Sequence, residues 1–294
     1  MWKYDEGKGD IMNKKFFILG GDLRQLKCAQ SLVDKGCEVK LYGFSDADGV
    51  AISKKPKEDI EKAQYLVLPL PVTYDDVNIN APMADEKIPL KLVYDNITEK
   101  TIVFGGMIKE NTKESLITDK IYDYAKDEEF LVKNAMITAE GAFQIIFSET
   151  PISVCGSRFL ITGYGRIGKA IAKVASSFGA KVSVAARKSS DFAWIELNGY
   201  TPYKYKDLYN DIGKFDIIIN TVPCRIFDKK MISKIDKNAL FVDLASLPGG
   251  CDINDMKDEG IKAIHALSLP GKVAPFSSGK IISDTIINMT DEGL

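Results

Sequence analysis

Histidine occurs once in the 294 residues, as His265, and arginine five times, as Arg24, Arg158, Arg166, Arg187 and Arg225; the rest of the 39 basic residues are lysine. Any histidine-dependent mechanism must therefore use His265. Each arginine also stands out, because arginine is the better bidentate binder of carboxylate and phosphate. Cysteine is sparse: Cys28, Cys37, Cys155, Cys224 and Cys251 form no CxxC pair. An odd number at wide spacing indicates neither a disulfide framework nor a zinc site, so no metal is expected. Such thiols suit a reducing cytoplasm. The opening "MWKYDEGKGDIMNKK" has no apolar stretch of signal-peptide type, and its first dozen residues are expected to pack poorly. No run is expected to be apolar and long enough to span a bilayer. A formal net charge of -2 gives no electrostatic case for nucleic acid or an anionic membrane as partner.

What is present is an ordinary globular balance, 45% hydrophobic and 27% charged, in a chain long enough for two cores. Short apolar runs ("KKFFILGG", "EVKLYGF", "YLVLPLP", "TIVFGGM") alternate with helical patterns, which implies a parallel open sheet. A long polar segment, "PVTYDDVNINAPMADEKIPLKL", interrupts this half at the carboxyl end of a strand, where open α/β sheets bind ligands. Helical periodicity follows from about Asp127 to Ser148, and Pro151 ends it. "RFLITG", "KVSVAAR", "FDIIINTVP", "ALFVDLAS" and "IKAIHALSLP" then restart the alternation. The reading is α/β, with two doubly wound parallel-sheet domains. Residues 1–133 form a flavodoxin-like substrate domain, joined by the C-terminal helix 277–294 packing back on it. Residues 134–276 form a Rossmann domain that includes the bridging helix.

Gly163, Gly165 and Gly168 make G-x-G-x-x-G between a buried strand and an amphipathic helix. In that setting the first glycine permits the tight turn, the second lets backbone approach a pyrophosphate, and the third lets helix and strand pack closely. Tyr164, Arg166 and Ile167 lie within the same loop. An NAD site places an acid after the second strand to accept from the ribose 2′-hydroxyl; here stand Arg187, Lys188 and Ser189. These suit the 2′-phosphate of NADP, although Arg187 stacking on adenine with NAD stays open. Asn220, Thr221, Val222 and Pro223, and Leu244, Ala245 and Ser246, end two further strands on the nicotinamide side.

"ILGGDLRQ", "TAEGAFQIIFSETP", "GYGRIGKAIA", "NTVP", "VDLASLPGG" and "LPGKVAPFSSGKII" occur in this order from about Lys14 onward. The set resembles the dipicolinate synthase A subunits of spore-forming bacteria. One departure is Leu23, where that pattern has Ala. The resemblance implies NADP-dependent oxidation of dihydrodipicolinate to dipicolinate during sporulation. It also implies the flavoprotein-like dipicolinate synthase B subunit as partner and the mother-cell cytoplasm as location. A homo-oligomer is left open.

For a ring with two carboxylates, recognition by cations or N–H groups matters most. Gly21, Asp22 and Arg24, at a helix amino end, are the first candidates, followed by Lys272, Ser277 and Ser278. Glu140 and His265 are the candidate proton acceptors. Two other readings remain: a 2-hydroxyacid or amino-acid dehydrogenase, and a nucleotide-binding protein whose partner does the chemistry.

Overall fold

The computed structural model describes residues 14–291. The segment expected to pack poorly lies outside this range, as do the last three positions of the expected C-terminal helix. The chain divides into two compact units. One holds the residues up to Asn134 together with those from Ala274 onward, and the other holds Ala135–Val273.

In the first unit, β1 (Lys15–Leu19), α1 (Leu23–Asp34), β2 (Glu38–Tyr42), β3 (Ala51–Ile52), α2 (Pro56–Lys62), β4 (Tyr65–Val67), α3 (Lys91–Tyr94), β5 (Ile102–Gly105), α4 (Glu110–Glu114) and β6 (Ile121–Asp123) follow one another. The sheet is parallel, in the order β3-β2-β1-β4-β5-β6. Without β3 this is the flavodoxin order; the two-residue edge strand β3 extends it to the dinucleotide-fold order. Both orders share the same reversal point, between β1 and β4.

The boundary between the units falls inside α5 (Glu128–Glu149). By length and composition this helix could cross a membrane, which corrects the expectation that no such run exists. Half of that stretch is buried in protein. Ala139, Ala142, Phe143 and Ile146 belong to the core of the second unit, where the Phe143 ring stacks on Phe159 at 6.0 Å.

The second unit runs β7 (Arg158–Thr162), α6 (Arg166–Ser177), β8 (Lys181–Ala186), α7 (Ser189–Leu197), β9 (Thr201–Lys204), α8 (Tyr205–Asp211), β10 (Ile217–Asn220), α9 (Lys229–Ile232), β11 (Leu240–Asp243), α10 (Ile253–Asp258), β12 (Lys262–His265) and α11 (Leu269–Val273). Its parallel sheet has the order β12-β11-β10-β7-β8-β9. β10 and β11 are buried at every position, as strands covered by helices on both faces must be.

The chain closes with α12 (Pro275–Asp291), which packs on α1 in the first unit. The crossing is close: a Cβ on Gly279 would stand 2.5 Å from the Arg24 carbonyl oxygen and 2.8 Å from the Cys28 nitrogen. Lys35, which caps the carboxyl end of α1, is paired with Asp284 and bonds Ser283 Oγ at 3.2 Å, which fixes the register of the two helices.

Candidate dinucleotide site

In the second unit the strand order reverses between β7 and β10, the place where open α/β sheets bind ligands beyond their carboxyl ends. The three motif glycines meet different surroundings there. Gly163 has φ +92°, a left-handed conformation that favours glycine. A Cβ on it would stand 2.6 Å from Thr221 Oγ1. A Cβ on Gly168 would stand 2.2 Å from the Gly163 oxygen, so helix and strand touch through that position. Around Gly165 nothing lies within 4 Å of such a Cβ. Gly165 also caps α6, with no side-chain hydrogen bond to the cap and no acidic residue in the first turn. Open space thus faces the positive end of a twelve-residue helix, the setting that binds a pyrophosphate.

The corresponding turn of the first unit is filled. Gly20 and Gly21 have φ +69° and +109°, but a Cβ on Gly20 would meet Ile79 Cγ2 at 2.8 Å and Ala81 Cβ at 3.1 Å. The long segment after β4 therefore packs onto this turn. The room a pyrophosphate needs is present at Gly165 and missing at Gly20.

Below the second unit's carboxyl edge lies a buried polar network. Thr162, Asn220 and Asp243 are at most 1% exposed. Thr162 Oγ1 lies 2.6 Å from Asn220 Oδ1, and Asn220 Nδ2 donates to Asp243 Oδ1 at 2.8 Å and to the Val222 oxygen at 3.0 Å. Asp243 also accepts from the Ala245 amide at 3.0 Å and the Gly250 amide at 2.7 Å. His265, opposite Asp243 in the β11–β12 register, has Nε2 2.8 Å from the Ala245 oxygen. A carbonyl can only accept, so Nε2 carries the proton and a neutral ring has Nδ1 as its acceptor. The network ties together the loops after β10, β11 and β12.

This geometry corrects several expectations. The side chains of Tyr164, Leu244 and Ala245 are buried, so they reach a ligand only through their main chain. Asn220 is committed to the network. Thr221 donates to the Thr162 oxygen at 2.8 Å. Ile167 packs against the core, while Arg166, Pro223, Ser246, Arg187, Lys188 and Ser189 are exposed at the edge, with Val222 partly so. Glu140 on α5 and Lys272 on α11 are exposed, and the hydrogen-bond partner of His265 is a carbonyl rather than a carboxylate.

In the first unit, Asp22 caps α1, and Arg24 returns a bidentate pair to it: Nε to Oδ1 at 2.9 Å and Nη2 to Oδ2 at 2.8 Å. Arg24 Nη2 also donates to the Leu70 oxygen at 2.7 Å. Burial works against the guanidinium charge, but the Asp22 hydrogen bond and charge, with Tyr124 and Tyr74, together outweigh it and the pKa is raised. Among the described residues Nη1 has no hydrogen-bond partner, so Arg24 offers one oriented nitrogen from a charge-neutralised pair. Ser277 is exposed, while Ser278, expected to bind substrate, is buried within α12.

Two features escaped the sequence reading. Met107 after β5 has φ +55° and is 63% exposed; Asp123 holds it there by accepting from the Met107 and Ile108 amides at 3.0 and 3.1 Å. Strain of this kind clusters at ligand sites, and "GGM" was its only sequence signal. The other is Tyr205, half-buried at the end of β9.

Cys155 and Cys224 are exposed, whereas Cys28, Cys37 and Cys251 are buried. Burial, with Asp243 nearby, pushes the Cys251 thiol up to about 12. Native protein treated with dithionitrobenzoate is expected to release two thiol equivalents quickly and the other three only on unfolding. Cys224 follows Pro223 at the dinucleotide edge, so saturating dinucleotide should slow one of the two fast thiols. Absorbance at the released thiolate band checks both.

A glycine turn open at one position, facing a helix amino end at the point where the strand order reverses, defines a dinucleotide-binding domain. Comparison with known proteins specifies the class. Residues 137–246 match the NAD binding domain of D-isomer specific 2-hydroxyacid dehydrogenases, and residues 15–124 match the N-terminal domain of the dipicolinate synthase A subunit. The dipicolinate synthase A subunit of Bacillus subtilis is 28% identical over 290 residues, 95% of this chain and 96% of that protein. The crystal structure of its counterpart from Bacillus halodurans superposes with a TM-score of 0.88 at 26% identity, covering 96% and 99% of the two chains. That of the Bacillus subtilis protein gives 0.86 at 27%, covering 97% and 98%. The chain is thus similar to dipicolinate synthase A subunits along nearly its whole length, and its dehydrogenase-type domain supports a nicotinamide dinucleotide as cofactor.

Proposed function

We propose that the chain oxidises dihydrodipicolinate to dipicolinate with NADP, together with a dipicolinate synthase B subunit, in the mother-cell cytoplasm of a sporulating bacterium. The observation that carries this reading is the likeness to dipicolinate synthase A subunits along both units. The exposed Arg187-Lys188-Ser189 edge, where an NAD site would want a carboxylate, supports the phosphorylated cofactor.

A bound NADP would supply the acceptor for a hydride leaving the ring. The ring also loses a proton and becomes a pyridine. Aromatisation makes this step downhill, so the chain mainly has to position the reactants. The Gly163–Gly168 turn and the amino end of α6 seat the pyrophosphate. The buried network holds the strand-end loops in place, and Nδ1 of His265 remains to take a proton. Arg24 Nη1 is the donor offered to a substrate carboxylate. Its charge is already shared with Asp22, so it contributes direction more than attraction.

Purified protein, given NADP and freshly made product of the upstream synthase, should generate NADPH absorbance and a pyridine-diacid ultraviolet spectrum. If turnover requires a separately purified B subunit, the chain is not the sole catalyst. Arg187→Asp should lower the preference for NADP over NAD by at least ~100-fold, about 2.7 kcal/mol, because a carboxylate repels the 2′-phosphate. Little change in that ratio would favour Arg187 stacking on adenine.

A further inference from the structure

We infer that Tyr205 is a specificity-determining residue for the dinucleotide, its phenol hydroxyl donating to the same 2′-phosphate that Arg187 binds. This rests on the NADP reading and adds to it a residue on a different strand.

The sheet register carries the inference. β8 and β9 pair in parallel with Ala185 opposite Tyr203 and Ala186 opposite Lys204. The next step along the ladder sets Arg187 beside Tyr205, both just beyond the carboxyl ends of their strands. Tyr205 is the first residue of α8 and is half-buried, while its neighbours Lys204 and Lys206 are exposed. The Arg187 guanidinium and the Gly163 main-chain amide both act on its phenol, opposing the upward push of burial. Gly163 follows the last residue of β7, two strands from β9. The Tyr205 side chain therefore lies back across the end of β8 toward the glycine turn, over the edge that receives the ribose next to the pyrophosphate.

The charge pattern agrees. Arg187, Lys188, Lys204 and Lys206 are exposed at the ends of these two strands, and the acids beside them are Asp191 and Asp207. Four cations against two anions suit a phosphate monoester more than a ribose hydroxyl. A phenol hydroxyl beside an arginine adds a directional donor, which a diffuse cationic edge lacks. If Tyr205 were only packing against the turn, it would serve NAD and NADP alike.

The test measures binding of NADPH and NADH separately, by cofactor fluorescence on full-length protein, with Tyr205→Phe compared to wild type. Removing the hydroxyl should weaken NADPH about 10-fold, which is ~1.4 kcal/mol, and leave NADH unchanged. Competition by 2′,5′-ADP should weaken by the same factor, and competition by 5′-AMP should not. Equal losses for both cofactors, or no loss for either, overturn the assignment of Tyr205 while a wild-type preference for NADPH leaves the cofactor reading standing. Wild-type protein that binds NADH more tightly than NADPH overturns both. Unchanged thermal unfolding of the variant separates lost recognition from lost structure.

Discussion

Gly165→Val is expected to leave the protein folded and to weaken dinucleotide binding at least 100-fold. Gly165 has φ -76° and ψ -167°, extended backbone open to valine. Nothing in the chain lies within 4 Å of the position its Cβ would take. The cost to the fold is limited to a poorer helix cap, on the order of 1 kcal/mol, or about 2–4 °C in the melting midpoint of a domain this size. The binding loss has another source: the isopropyl group fills the space that backbone leaves for the pyrophosphate. Gly168→Ala is the contrast. Its methyl would stand 2.2 Å from a main-chain oxygen, and the forced separation of α6 from β7 should cost about 3 kcal/mol together with binding. Calorimetry and cofactor fluorescence on both variants distinguish the roles. Retained affinity in Gly165→Val would mean that the dinucleotide does not use this turn.

The same three glycines show how far the sequence could be read. Their spacing and flanking patterns announce the turn, because each task imposes a missing side chain and leaves a mark in the chain itself. The doubly wound arrangement was legible for a similar reason: buried parallel strands are continuous apolar runs. Two of the edge strands leave no such mark. β3 has two exposed residues, and β9 is "TPYK", polar and carrying a proline. Without β9 the sequence offers no way to set Tyr205 beside Arg187. At the polar ends of β10 and β11, alternation could not say which residues face inward, since both faces are covered. Asn220 thus read as a cofactor contact and proved to be a buried tie. Arg24 stood out as one of five arginines and by its place after "GGD" at a helix amino end, but its bond to the Leu70 carbonyl joins positions 46 residues apart, and no local pattern reports that.

The buried network invites the opposite kind of substitution, one that harms the fold through polar groups. Asp243 is 1% exposed and accepts three N–H groups, from Asn220, Ala245 and Gly250. Asp243→Ala removes every acceptor at once and leaves a void against Gly249, which packs so closely that a Cβ there would stand 2.8 Å from Asp243 Oδ2. Bonds to an ionised group contribute about 1.5–3 kcal/mol each, and each donor left unmet is penalised further. They are not additive, so a loss of at least ~3 kcal/mol is the expected floor, read as a lower urea midpoint with an unchanged slope. Asp243→Asn keeps the shape but gives up one acceptor oxygen for a donor, which must then face either the Gly250 amide or both the Asn220 and Ala245 amides. It should fall between wild type and alanine in stability. In Asp243→Ala the Ala245 loop loses its tether, and with it the carbonyl that fixes the His265 ring, while Asn220, which holds Val222, loses its own anchor. Turnover should therefore drop more than dinucleotide affinity, because the pyrophosphate seat at Gly165 lies outside the network. A variant that lost affinity and turnover in equal measure would show that the network supports the whole site instead of its nicotinamide side.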